Sequence, residues 1–279
     1  MALKTVLLHL NDRRRAQGLI VAAQALATAS GAHLLGLHVY SVVPPVGPVL
    51  VPYGDDVVDS VRQSALQETE AISQTFHRLT ADMADRANWL SECAPGPDLA
   101  EHVMTFGRCA DLIVASTPDP DWDLAPALEF PERLVVESGR PVLLVPNKGA
   151  FGRPIQHVVV AWNGGKECAR AGFDALSIFD PPVRLTLVVI DDASTGDAPM
   201  ASAVRFCQAA KRHKFDASTH RVEALGRTAG EAIAAEAAVL EADMLVMGAY
   251  GHSRFREFVF GGATRHITHH MKIPTLLSH

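Results

Sequence analysis

The sequence predicts an α/β protein made of two tandem units, each a five-stranded parallel sheet with helices on both faces. Three observations point to this class. Short apolar runs alternate with helix-forming stretches along the whole chain, the pattern of parallel strand–helix–strand units. Three blocks recur in the same order: LLHLND at 7–12 and VVAWNG at 159–164, ADLIVAS at 110–116 and ADMLVMG at 242–248, GRPVLLVP at 139–146 and MKIPTLLS at 271–278. A stretch rich in Pro and Gly, 146–154, lies between the repeats and is the natural linker. A chain of 279 residues holds two domains of ordinary size, here 1–147 and 155–279.

The elements follow in order. Thr5 to Leu10 is an apolar run and reads as the first strand. Asn11 and Asp12 end it and can cap a helix over 15–30, which is rich in Ala, Leu and Ile and stops at Gly31. Leu34 to Tyr40 is the second strand. A Pro/Gly loop leads to one long amphipathic helix, or two broken ones, over 55–84. Trp89-Leu90 marks a short strand, and a helix opened by Pro97 and Asp98 ends near Arg108. Leu112 to Ala115 is the fourth strand, 131–138 a helix, and Pro141 to Val145 the fifth strand. The pattern then restarts. His157 to Trp162 is a strand, Asn163-Gly164-Gly165 a turn, and 166–179 a helix. Leu185 to Ile190, a helix over 200–213, and a weak strand over Thr219 to Val222 come next. An Ala-rich helix over 226–241 precedes the strand Met244 to Met247, and a last helix leads to a strand over Ile273 to Leu277.

Composition bounds the function. Apolar residues make up 48 % and charged residues 20 %, and no apolar run approaches the length of a membrane span. The N-terminus lacks the length and cleavage pattern of a signal peptide, so a cytoplasmic location and no membrane partner are expected. Cys93, Cys109, Cys168 and Cys207 form no C-x-x-C pair and read as buried free thiols. Residues 1–147 carry 10 basic and 18 acidic side chains, whereas 148–279 carry 15 and 13. No concentrated basic face suggests nucleic acid, and the second half is the better host for a phosphate-bearing ligand.

The chemistry concentrates at 242–275. An apolar strand empties into Gly248 and Gly251, and Gly261 and Gly262 precede a helix. Glycine lets backbone approach a ligand closely, and helix-start amides are unpaired, so this is an anion site in outline. Open α/β sheets bind ligands beyond the carboxyl ends of their strands, where strand order reverses. Asn163 and Gly248 are therefore expected to face one cleft.

These residues resemble the universal stress protein family, and the whole chain resembles a tandem member of it. The family's nucleotide-binding signature is G-x2-G-x9-G followed by Ser or Thr. Gly248, Gly251 and Gly261 match it, Gly262 stands at the hydroxyl position, and Thr264 follows two residues on. The resemblance implies two Rossmann-like domains of the adenine nucleotide alpha hydrolase-like kind, forming an intramolecular pseudo-dimer through the last strands, Val142–Val145 and Ile273–Leu277. It implies an adenine nucleotide such as ATP, with or without Mg2+. Asn163 would face the ribose or adenine, Val189 the base, and Gly248 and Gly251 the ribose and phosphates. Amides near Gly261 and Gly262 would hold the phosphates, with Thr264 a further nucleotide-binding residue and Arg254 and Arg256 further phosphate contacts.

The equivalent loop of the first half, Ser116 to Glu132, has no glycine. It carries Asp119, Asp121, Asp123, Glu129 and Glu132 and several prolines, which repel phosphate and remove amide donors. The first half is thus expected to be a degenerate, structural or regulatory partner. Other constellations read as local features. His266, His269 and His270 lack the Glu of an H-E-x-x-H frame, and D-P-D-W-D lacks the Gly and Glu of a calcium loop, so no metal site is assigned. His9 and His38 are local hydrogen-bonding residues, and Arg13-Arg14-Arg15 is surface charge on a first helical turn. No catalytic residue emerges. The leading expectation is a stress-response module that binds an adenine nucleotide in its second half, with at most weak ATP hydrolysis. The alternatives are a protein-interaction scaffold without nucleotide and a slow nucleotide hydrolase. A homodimer of the tandem chain is compatible with either.

Overall fold

The computed structural model describes residues 3–41, 55–94, 96, 98–117, 130–149, 151–191, 196–249 and 262–279. In the first half the elements are β1 (Thr5–His9), α1 (Arg13–Ser30), β2 (His33–Tyr40), α2 (Asp55–Leu79), β3 (Ala87–Cys93), α3 (Leu99–Gly107), β4 (Leu112–Ser116), α4 (Pro131–Glu137) and β5 (Val142–Val145). The second half has β6 (His157–Ala161), α5 (Lys166–Ile178), β7 (Arg184–Asp191), α6 (Ala198–Arg212), β8 (Asp216–Glu223), α7 (Ala229–Val239), β9 (Met244–Gly248), α8 (Gly262–His270) and β10 (Thr275–Ser278).

All ten strands join one sheet in the order β3-β2-β1-β4-β5-β10-β9-β6-β7-β8. Neighbours are parallel except at the middle, where β5 and β10 pair antiparallel, Val142 opposite Leu277 and Leu144 opposite Thr275. This is the seam expected between the last strands of the two halves. Each of these short apolar strands would be an exposed edge in an isolated half, and their pairing removes both edges.

Local chemistry sets the helix ends. The Asp12 carboxylate accepts from the Arg14 amide at the start of α1, and Gly31 closes it in the left-handed region at φ 67°. Thr228 and Glu231 form a reciprocal capping box at α7. The segment expected as one long or two broken helices is α2 followed by a 3-10 turn over Ala81–Arg86. The two outermost strands, β3 and β8, run seven and eight residues, longer than their apolar cores suggest. Their residues mix exposed with partly buried positions, so the polar positions dilute the apolar signal, and pairing with β2 and β7 decides their length.

The inner strands are covered on both faces and are buried throughout, as in β4 and β6. Alternate side chains enter opposite layers. Leu8, Leu143, Val160 and Leu276 pack with Ile20 of α1, Phe76 of α2, Ala171 of α5 and Phe206 of α6. Leu7, Leu144, Leu245 and Leu277 pack with Met104 of α3, Leu134 of α4, Ile233 of α7 and Ile267 of α8. Both layers continue across the seam, so the two halves share their core.

Two histidines sit in the first-half core. His9 is buried, and burial, then the nearby His38 and Arg15, lower its pKa to about 3. Burial also lowers that of His38, although its Nδ1 donates to the Leu10 carbonyl at 2.6 Å. Both rings stay neutral in the folded chain, whereas an unfolded histidine takes up its proton near pH ~6.5. Below that pH the unfolded state binds more protons, so stability is full above about 6.5 and falls as pH drops toward about 3. Denaturant unfolding followed from pH 7 to 4 is expected to show this decline, and His9→Leu to make it shallower. An unchanged slope in the variant refutes the assignment to His9.

Candidate functional site

The second-half crevice follows from the order of connections. From β6 the chain passes through α5 to β7 on one side, and the return through α7 places β9 on the other. The helices after β6 and β9 lie on opposite faces of the sheet, because Cys168 and Ala171 of α5 belong to one core layer and Ile267 of α8 to the other. Strand order therefore reverses between β6 and β9, which pair from Val158–Met244 to Ala161–Met247. The helices α5 and α8 both start on the side of those carboxyl ends, as crossovers between parallel strands require. Unpaired amides and the positive ends of two helix dipoles favour an anion there.

The turn after β6 forms one wall. The Asn163 side chain is exposed, and its Oδ1 accepts from the Gly165 amide at 2.9 Å. The carboxamide oxygen thus fixes the turn itself. Gly164 adopts φ 80° with Pro199 and Ser202 of α6 close behind it, so it needs both freedoms of glycine. Trp162 is anchored by its indole N–H, which donates to Ser202 Oγ at 2.7 Å, and by the Phe206 ring with centroids 4.7 Å apart. Cys168 lies just inside α5, where its Sγ donates to the Gly165 carbonyl at 3.1 Å. Burial pushes this thiol's pKa up, which makes it a packing residue rather than a nucleophile.

Gly248 ends β9 and makes the closest backbone approach in the site. A Cβ there would collide with the main chain of Glu167 and Cys168 and stand 2.6 Å from Glu167 Cβ. The glycine lets the first turn of α5 rest on the end of β9. Gly262, the first residue of α8, differs: among the described residues a Cβ there meets nothing within 4 Å. Thr264 is 4 % exposed and shares the inward side of α8 with Ile267 and Thr268. Gly230 of α7 allows α8 to dock, since a Cβ there would stand 2.8 Å from His266 Cβ.

The other expected site residues fall as follows. Val189 is 4 % exposed, and its side chain joins the core layer beneath α5 and α6 instead of the crevice. The Trp162 amide donates to the Val188 carbonyl, so by alternation the main chain of Val189 faces β8 and that of Ile190 faces the β6 side. Gly251, Arg254, Arg256 and Gly261 lie outside the described residues. Glu167 was missed by the sequence reading: it is 7 % exposed against Gly248, with Lys166 Nζ 3.5 Å from its Oε1. Aligning LNDRRR with WNGGKE sets it opposite Arg15 of the first half, a signal that was available.

Arg15 itself is a correction. It is 9 % exposed and is not surface charge. Its guanidinium reaches the Thr117 carbonyl at 3.4 Å, Asn147 Oδ1 at 3.1 Å and Asn11 Oδ1 at 3.5 Å, spanning the carboxyl ends of β1, β4 and β5. A space of about 10 Å³ lies between His9, Ser116 and Phe130. Among the described residues no group of three or more His, Cys, Asp or Glu could hold a metal ion, and no helix is long and apolar enough to cross a membrane. His266 and His270 stack with centroids 4.5 Å apart, and His270 Nδ1 donates to the His266 carbonyl.

Comparison with known proteins agrees with this architecture. Residues 155–279 match the sequence model of the Universal stress protein family. No curated protein matches the chain. A universal stress protein from Archaeoglobus fulgidus DSM 4304 superposes with a TM-score of 0.70 at 12 % identity, covering 98 % of this chain and 95 % of that one. A functionally unknown protein from Pseudomonas aeruginosa PAO1 superposes with a TM-score of 0.60 at 16 % identity, covering 99 % and 92 %. Identities this low speak for the fold alone. Residues 155–279 thus match the universal stress protein family by sequence, and the whole length carries the doubled α/β fold joined at the β5–β10 seam.

Proposed function

We propose that this is a stress-response protein whose second half binds an adenine nucleotide, ATP first among them, in the crevice between β6 and β9. The observation that carries the reading is the convergence of the 163–165 turn with the starts of α5 and α8 at the point where strand order reverses. In this reading Gly262 and the first amides of α8 hold the phosphates, with Gly251, Gly261, Arg254 and Arg256 completing the loop and Thr264 packing it. Asn163 shapes the ribose side through its turn, and the Ile190 main chain takes the place first assigned to Val189. A bound Mg2+ would be carried mainly by the phosphates. The reading requires no catalytic residue, and any hydrolysis is slow.

The two domains are placed at 1–147 and 155–279, with the first degenerate. Arg15 supports this, because its guanidinium already occupies the crevice that a nucleotide would need. Native mass spectrometry of the fresh protein, followed by denaturation, tests the proposal together with titration calorimetry of ATP, ADP and AMP. One nucleotide per chain, released on unfolding or bound on titration, is the expected stoichiometry. No specific binding of any of the three to folded protein ends the proposal; two per chain ends the degenerate first half.

A further inference from the structure

The second-half crevice holds a carboxylate whose hydrogen bonds the protein does not supply. The Glu167 Cβ sits 2.6 Å from the point a Cβ of Gly248 would take, and its Oε2 lies 3.4 Å from the point a Cβ of Gly165 would take. Asn163 Oδ1 lies 3.1 Å from that second point. The side chain thus reaches from the end of β9 to the turn after β6, across the crevice between those strands. It is only 9 % exposed, and its partner among the described residues is Lys166, whose Nζ stands 3.5 Å from Oε1 on a side chain 87 % exposed. A partner so solvated meets little of the charge. No described residue donates a hydrogen bond to either oxygen. At the matching position of the first half, Arg15 finds acceptors in Asn11, Thr117 and Asn147. Glu167 has no such set of donors, and a buried charge without hydrogen bonds is costly.

The chemistry of the missing partner follows from this. A carboxylate accepts hydrogen bonds and donates none, so it rejects phosphate oxygens and takes O–H or N–H groups. Glu167 also lies in the first turn of α5, where its charge meets the positive end of that helix and leaves the phosphates to α8. Neighbouring acceptors are engaged: Asn163 Oδ1 by the Gly165 amide at 2.9 Å, and Asp191 at the end of β7 by Arg221 at 3.3 Å. On an adenine nucleotide whose phosphates lie over α8, the neutral donors next along the molecule are the ribose hydroxyls.

We infer that the Glu167 carboxylate accepts a hydrogen bond from a ribose hydroxyl and makes the site selective for ribonucleotides, an assignment that rests on nucleotide binding in this crevice. Calorimetric titration of the full chain with ATP, 2′,3′-dideoxy-ATP and ITP tests it, on the wild type, Glu167→Gln and Glu167→Ala. Both variants keep the Cβ beside Gly248, and circular dichroism checks their fold. In the wild type ATP is expected to bind about tenfold or more tighter than the dideoxy nucleotide, the factor for one hydrogen bond to a charged group. That ratio is expected to fall to about threefold in Glu167→Gln, whose neutral amide makes a weaker bond, and to about one in Glu167→Ala. The ATP-to-ITP ratio should stay the same in all three. A merely structural role would weaken every nucleotide alike and leave the ratios unmoved. Equal binding of ATP and its dideoxy analogue by the wild type, an unchanged ratio in the variants, or a change confined to ITP overturns the inference. Absence of ATP binding to folded protein removes the nucleotide reading and this assignment with it, a result distinct from equal binding of the two.

Discussion

Replacing Gly262 by Ser is expected to tighten adenine-nucleotide binding about tenfold or more. The substitution restores the hydroxyl of the family signature at the first residue of α8. A hydrogen bond to a charged group contributes about 1.5–3 kcal/mol, and ~1.4 kcal/mol is a factor of ten. The described residues offer no steric objection, because a Cβ at Gly262 has none of them within 4 Å and its φ is not left-handed. Thr264, two residues on, is buried with Ile267 and Thr268 on the inward side of α8. Gly262→Ala separates two causes. Alanine brings the helix-forming advantage over glycine, about 0.5–1 kcal/mol of stability, but no donor. Calorimetry on the wild type and both variants decides the matter. If alanine improves affinity as much as serine, ordering of the helix start is the cause and the hydroxyl is irrelevant.

A single methyl group at Gly248 is expected to damage both the fold and the site. Gly248→Ala places a carbon against the backbone of Glu167 and Cys168, where neither partner is a flexible side-chain end. Overpacking of this kind costs about 1–3 kcal/mol. The strain is relieved by moving the first turn of α5, and that turn holds Asn163, Gly165 and Cys168 in register. Nucleotide affinity is therefore expected to fall together with the denaturation midpoint. The matching residue of the first half is Ser116, which is 5 % exposed and carries its side chain without such a collision. Ser116→Ala should accordingly change little. Wild-type stability and affinity in Gly248→Ala would show that α5 can lift off β9 at no cost.

The family signature treats its glycines as one device, and the structure separates those it describes. Gly248 serves the packing of α5 on β9, whereas no described residue stands where a Cβ of Gly262 would point. Sequence spacing cannot make this distinction, because it depends on which backbone passes within van der Waals range. The same limit explains Val189. Its place in the second strand of the second half was legible, but the direction of its side chain and main chain followed from register with β6 and β8. Arg15 is the clearest case. Three consecutive arginines at a helix start look like solvated charge, yet helical geometry turns the third toward the strand ends, where Asn11, Thr117 and Asn147 receive it.

What the chain's residues determined alone was the alternation of strands and helices and the internal duplication, while the last strands as the contact between halves came from the family resemblance. These rest on local signals: apolar runs buried on both faces, caps such as Asp12 and Thr228, and Gly31 in the left-handed region. Tertiary structure decided the length of the edge strands, the burial of Arg15 and Glu167, and the separate tasks of Gly248 and Gly262. Each of those depends on distances between segments far apart in sequence, which sheet register and helix docking set and no local pattern encodes.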